Sequence, residues 1–237
     1  MRQFIRIVLA IVSLALFCVS GYKAYEIYQE TAQEKRVKQS LLEYRPVITP
    51  GLIDEIIDIG NPFITDLSTD VNTDIVGWLT IPGTRVDYPF VYSEDYDYYL
   101  KHDVYGNATS SGSLFMDERS AADFSGEYTI IYGHNMNNKS MFGDLSLFSN
   151  ESFFDSHTGG TVFLDDHTYS LEFFAYMIVY DNDRAVYGIP RQADFFEYVK
   201  STARIYREPS GAGKIVALST CTNIDNDTRI VLMGVCR

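Results

Sequence analysis

The closing stretch of the chain, KIVALSTCTNIDNDTRIVLMGVCR from Lys214 to Arg237, holds two apolar runs on either side of a polar, Asn/Asp-rich segment. Short apolar runs rich in β-branched residues suit paired strands, and Asn and Asp between them suit a turn, because their side chains bond to nearby backbone. The stretch therefore predicts an antiparallel hairpin. In that hairpin Cys221, which ends the first run, lies beside Arg229, which opens the second. Cys236 is seven residues further along the returning strand. At about 3.3 Å per residue this is roughly 23 Å, whereas a disulfide needs Cα atoms within about 7 Å. Cys221 is thus expected to be a free thiol.

The same pattern of short strands and turns fills the chain from Trp78 onward. Pro82-Gly83 separates two apolar runs, a hairpin signal. Further strands are expected in SGSLFMDERS after Gly112, at Tyr128–Tyr132 before YGHN, and on both sides of Asp165-Asp166. Two helices interrupt them. One carries Leu145, Phe148, Phe153 and Phe154 and is expected to stop at Gly159-Gly160. The other starts after Pro190 and presents Phe195, Phe196, Val199 and Ile205. Tyr and Phe number 18 and 15, against one Trp, and aromatics suit pleated, half-buried surfaces. About eight strands with inserted helices predict a mainly β fold closed into a barrel, which leaves no exposed edges.

Ahead of this domain, Ile7 to Val19 is apolar and follows Arg2 and Arg6. With Tyr22 and Tyr25 at the headgroup level, residues 1–25 read as a membrane segment. Two readings stay open: an uncleaved signal-anchor, and a signal peptide cut near Val19-Ser20-Gly21. Phe17 argues against lipidation of Cys18. The next residues are rich in Ala, Glu, Gln and Lys up to Pro46 and predict an exposed helix. Residues 26–72 are therefore read as a helical stalk with an irregular approach, and 73–237 as the β-barrel domain. Residues 1–38 hold six Lys and Arg against three Glu, although the whole chain carries −13. The acidity excludes a nucleic-acid-binding surface, which needs a basic stripe.

Chemistry centres on the thiol. A cation beside a cysteine favours the thiolate, and Arg229 can also donate to an oxyanion. Alternatively, Arg229 caps the polar turn through Asp225 or Asp227. A cysteine nucleophile calls for a proton acceptor, usually histidine. His134 ends a buried strand where the chain must turn, whereas His102, His157 and His167 lie in polar, loop-like contexts. No metal-ligand spacing, phosphate loop or dinucleotide fingerprint stands out, and no cofactor is expected.

Taken together, LSTC at Leu218–Cys221, Arg229 opening the next strand, YGHN at Tyr132–Asn135 and the N-terminal apolar segment resemble the sortases, the membrane-anchored cysteine transpeptidases of Gram-positive bacteria. The resemblance covers roughly Trp78 to Val235. The helix expected at Gln192–Ile205, the long N-terminal extension and GSLFMDERS resemble class B members. The resemblance implies an eight-stranded sortase barrel outside the membrane, with the N-terminus in the cytoplasm. It implies that Cys221 attacks a carbonyl in the C-terminal sorting motif of a secreted protein. His134 then serves as acid and base, and Arg229 holds the substrate or its oxyanion. An amine of a peptidoglycan precursor or of a pilin resolves the thioacyl-enzyme. Tyr132, Ser219 and Thr220 are expected along the substrate groove. Two other readings remain: a hydrolytic cysteine peptidase, and a non-catalytic surface barrel with an incidental thiol.

Overall fold

A computed structural model describes residues 1–46, 62–95, 97–189, 194–222 and 227–237. They fall into two compact units, Met1–Leu42 and Glu43–Arg237. The first is one helix, α1 (Arg2–Leu41), long and apolar enough to cross a membrane. The apolar run and much of the polar stretch after it therefore share one uninterrupted helix. Residues 47–61, most of the approach expected to be irregular, lie outside the described residues. That approach ends in a second helix, α2 (Pro62–Asp70). Ile64 and Leu67, one turn apart, are its buried contacts.

The second unit is built on a single sheet of nine described strands. They are β1 (Ile75–Thr80), β2 (Asp87–Val91), β3 (Leu114–Met116), β4 (Tyr128–Tyr132), β5 (Gly159–Leu164), β6 (Thr168–Tyr180), β7 (Ile205–Tyr206), β8 (Lys214–Cys221) and β9 (Thr228–Cys236). The order runs β5-β1-β2-β3-β4-β8-β9-β6, and β6 pairs back onto β5. Eight strands thus close into a barrel, as the strand pattern predicts. The thirteen-residue β6 outruns β5, and β7 pairs along its further half at Ala175 and Tyr176.

Two pairs in the barrel, β2–β3 and β4–β8, are parallel. Strands β4, β8 and β9 are apolar almost throughout because both their faces are covered. Alternate residues of β8 divide between two cores. Val216 and Leu218 face the barrel interior with Phe90, Phe148 and Phe173. Ile215 and Ala217 face an outer layer made with Phe174, Val186, Phe195 and Val199. The outer layer is the insertion between β6 and β7, which holds α4 (Arg184–Tyr187) and α5 (Phe195–Thr202). Burying Phe195 and Val199 contributes about 1.5–3 kcal/mol each, which offsets the poor intrinsic stability of so short a helix.

Two sequence expectations need correction. Gly159-Gly160 does not stop a helix. The helical segment is a 3₁₀ turn, Gly143–Ser149, followed by α3 (Glu151–Ser156), and the glycines open β5. A Cβ on Gly159 would stand 2.2 Å from the Leu171 carbonyl oxygen, so strand packing is what calls for glycine there. The second helix is also shorter than expected, and Ile205 lies in β7. Ala203 turns extended (ψ 140°), and the N–H groups of Arg204 and Arg207 donate to the Tyr176 and Phe174 carbonyls. The free edge of β6 beyond β5 competes for this segment and takes it. Pro190 to Ala193, the expected start of that helix, lie outside the described residues.

Candidate active site

The parallel β4–β8 pair sets the site. Tyr132 is level with Ser219, so two residues later His134 and Cys221 leave the same end of the barrel. The pairing continues past the strand end, with Gly133 N–H donating to the Ser219 carbonyl at 3.2 Å. Asn135 Nδ2 donates to the Cys221 carbonyl at 2.8 Å and ties the histidine segment to the cysteine strand. The loop beyond folds back on itself: Phe142 N–H donates to the His134 carbonyl, and Lys139 and Met141 take left-handed φ angles of 68° and 49°. Such angles cost a non-glycine residue energy and cluster where geometry is held for function.

Across the hairpin Cys221 is the register partner of Arg229. The thiol is free and exposed, and Cys236 is buried opposite Lys214 at the far end of the hairpin. Burial pushes the Cys236 thiol up to about 12. Arg229 Nη2 stands 3.2 Å from Asp181 Oδ2, so the arginine engages the turn after β6. Asp225, one of the two caps considered from sequence, lies outside the described residues. Asp227 offers its backbone carbonyl to the Asp181 N–H at 2.8 Å.

A cavity of about 870 Å³ opens above these groups. Cys221, His134 and Arg229 line it, and so do Tyr132, Ser219 and Thr220. The two hydroxyls of the cysteine strand differ. Ser219 Oγ pairs with the Tyr187 hydroxyl at 2.9 Å. Thr220 sits one residue on, so its side chain faces the barrel interior, where Oγ1 is buried without a hydrogen-bond partner among the described residues. The other histidines lie elsewhere: His102 stacks on Tyr98 and His157 on Phe153, and neither lines the cavity.

The cavity also has walls that sequence reasoning did not assign. Asp117 is 1% exposed and accepts from Arg119 Nε and Nη2 at 2.8 and 2.6 Å, and from the Tyr132 hydroxyl at 2.8 Å. Burial pushes the Asp117 carboxyl up, but these donors outweigh it and hold the group below the ordinary carboxylate range. Tyr187 and Asp181 come from the insertion after β6. His134 Nε2 lies 2.8 Å from the Leu100 carbonyl. A carbonyl only accepts, so this contact puts the neutral-state proton on Nε2 and leaves Nδ1 as the acceptor. Among the described residues, no group of three His, Cys, Asp or Glu is placed to hold a metal ion.

The sortase domain profile matches residues 79–236. The chain belongs to the sortase family. Sortase B of Listeria monocytogenes is 33% identical over 246 residues, spanning 98% of this chain and 97% of that protein. Sortase B of Staphylococcus aureus is 26% identical, over 99% and 97%. The crystal structure of a Streptococcus pyogenes class B sortase involved in pilus biogenesis superposes with a TM-score of 0.67 at 31% identity, covering 73% of this chain and 97% of that one. The chain is thus a class B-like sortase, a cysteine transpeptidase on the barrel expected from its sequence.

Proposed function

We propose that this sortase cleaves the C-terminal sorting motif of secreted proteins through Cys221 and transfers them to an amine of the cell wall or of a pilin. The observation that supports it most is the Cys221–Arg229 register pair, with His134 on the same cavity. His134 Nδ1 takes the proton of the Cys221 thiol, the thiolate attacks the scissile carbonyl carbon, and a C–S bond forms. Arg229 donates hydrogen bonds to the resulting oxyanion. The C–N bond then breaks, and His134 gives a proton to the leaving amine through Nδ1. An incoming amine attacks the thioester, His134 takes its proton, and Cys221 leaves as thiolate. Tyr132, Ser219 and Thr220 are the substrate-groove residues of this reading, and all three line the cavity. Residues 1–25 act as a signal-anchor with the N-terminus in the cytoplasm, 26–72 as a stalk, and 73–237 as the catalytic domain at the outer face of the membrane. The 40-residue α1, long and apolar enough to cross a membrane, supports the anchor.

Mass spectrometry of the products from a sorting-peptide library, with and without candidate amines, tests the reading. Amine adducts are expected. Hydrolysis alone, in the presence of oligoglycines and branched stem peptides, would favour a peptidase.

A further inference from the structure

Arg229 takes one of its partners from the turn that follows the neighbouring strand β6. Its Nη1 donates to the Thr228 carbonyl at 3.1 Å, and its Nη2 reaches Asp181 Oδ2. Asp181 follows β6, where Val179 is level with Arg229 and Tyr180 with Thr228. The Asp181 N–H donates to the Asp227 carbonyl, so the ladder runs one rung beyond the strand and places this carboxylate beside the guanidinium. Two residues later Asp183 caps α4 through the N–H groups of Ala185 and Val186 and accepts the Tyr198 hydroxyl from α5. The turn that carries Asp181 is therefore fixed from both ends, by the sheet and by the inserted helix.

We propose that Asp181 is a positioning residue for transpeptidation, aiming the Arg229 fork at the carbonyl above Cys221. The inference rests on the reading of Arg229 as the oxyanion donor. An arginine side chain has many rotamers, and one that wanders spends little time in a useful pose. A carboxylate on one amino group fixes the plane of the guanidinium. Side-chain exposure of 23% for Arg229 and 43% for Asp181 makes the ion pair weak as a stabiliser. Its effect is directional and should appear in turnover, with little change in stability.

The test measures kcat and KM for the full chain, with a sorting peptide selected from the library and triglycine as amine. Asp181→Ala should lower kcat about tenfold and leave KM within about twofold, since misaiming a transition-state donor spares ground-state binding. Asp181→Asn keeps an acceptor oxygen and should recover most of the loss. The deciding measurement is the double variant Asp181→Ala/Arg229→Ala, which should be no slower than Arg229→Ala alone. Normal kcat in Asp181→Ala overturns the proposal. So does a double variant slowed, relative to Arg229→Ala, by the same factor that Asp181→Ala shows in the native background. If Arg229→Ala itself turns over normally, the oxyanion reading fails first and takes this one with it.

Discussion

Cys221 and Cys236 stand at opposite ends of one hairpin, the first paired in register with Arg229 and the second with Lys214. The two thiols of the barrel therefore differ in both access and chemistry. Iodoacetamide at about pH 8 should label the peptide containing Cys221 and stop turnover. Cys236, buried and with its thiol pushed up to about 12, should stay unlabelled until the protein is unfolded. Peptide mapping checks this, and a mapped 221–236 disulfide would contradict it.

Replacing Arg229 tests the planar fork against simple charge. Arg229→Ala should cost about 100-fold in kcat, the usual loss for a missing oxyanion donor. Arg229→Lys should restore little of it, because an ammonium cannot present two parallel donors. Near-normal turnover in the lysine variant would reduce Arg229 to a generic cation. The circular dichroism spectrum should be unchanged in both.

Thr220 gives a stability test beside the nucleophile. Its hydroxyl is buried without a hydrogen-bond partner among the described residues, and such a group costs about 1–3 kcal/mol. Thr220→Val removes the hydroxyl at nearly constant shape. Urea unfolding should show a gain of about 1 kcal/mol.

Asp117 should make part of the stability acid-sensitive. Its carboxyl is held below the ordinary range in the folded chain, so its contribution is complete above the unfolded value of about 4. It fades as pH falls through the lower folded value. Asp117→Asn should therefore be less stable than the native chain at neutral pH, and the gap should close in acid. Arg119→Ala should lose about 1–3 kcal/mol at neutral pH, since it leaves a buried carboxylate short of donors. Unfolding midpoints across the acid range check both.

The last hairpin could be read because its apolar runs and polar turn are local, and because an antiparallel register follows directly from turn position. His134 stands out in the sequence for a similar reason, as a polar residue ending a buried strand. The insertion after β6 was harder. Asp181 and Asp183 look like ordinary turn residues, and nothing local marks the first as the partner of Arg229, 48 positions away. Asp117 and Arg119 sat within GSLFMDERS, but their meeting with Tyr132 depends on how β3 and β4 align. Ile205 was drawn out of its helical pattern by the open edge of β6, a tertiary effect. These misses share a cause: the decisive partner is distant in sequence.

Barrel closure bears on how a transpeptidase lets go. A catalyst that receives extended peptide risks holding it by main-chain pairing, because any bare strand edge is a template for another. Here β5 and β6 seal the ring, and β7, the described strand outside it, is two residues long. The β5–β6 pairing removes one bare edge along Thr168–Glu172, the kind of edge that would go on holding an extended peptide after its release from the thiol.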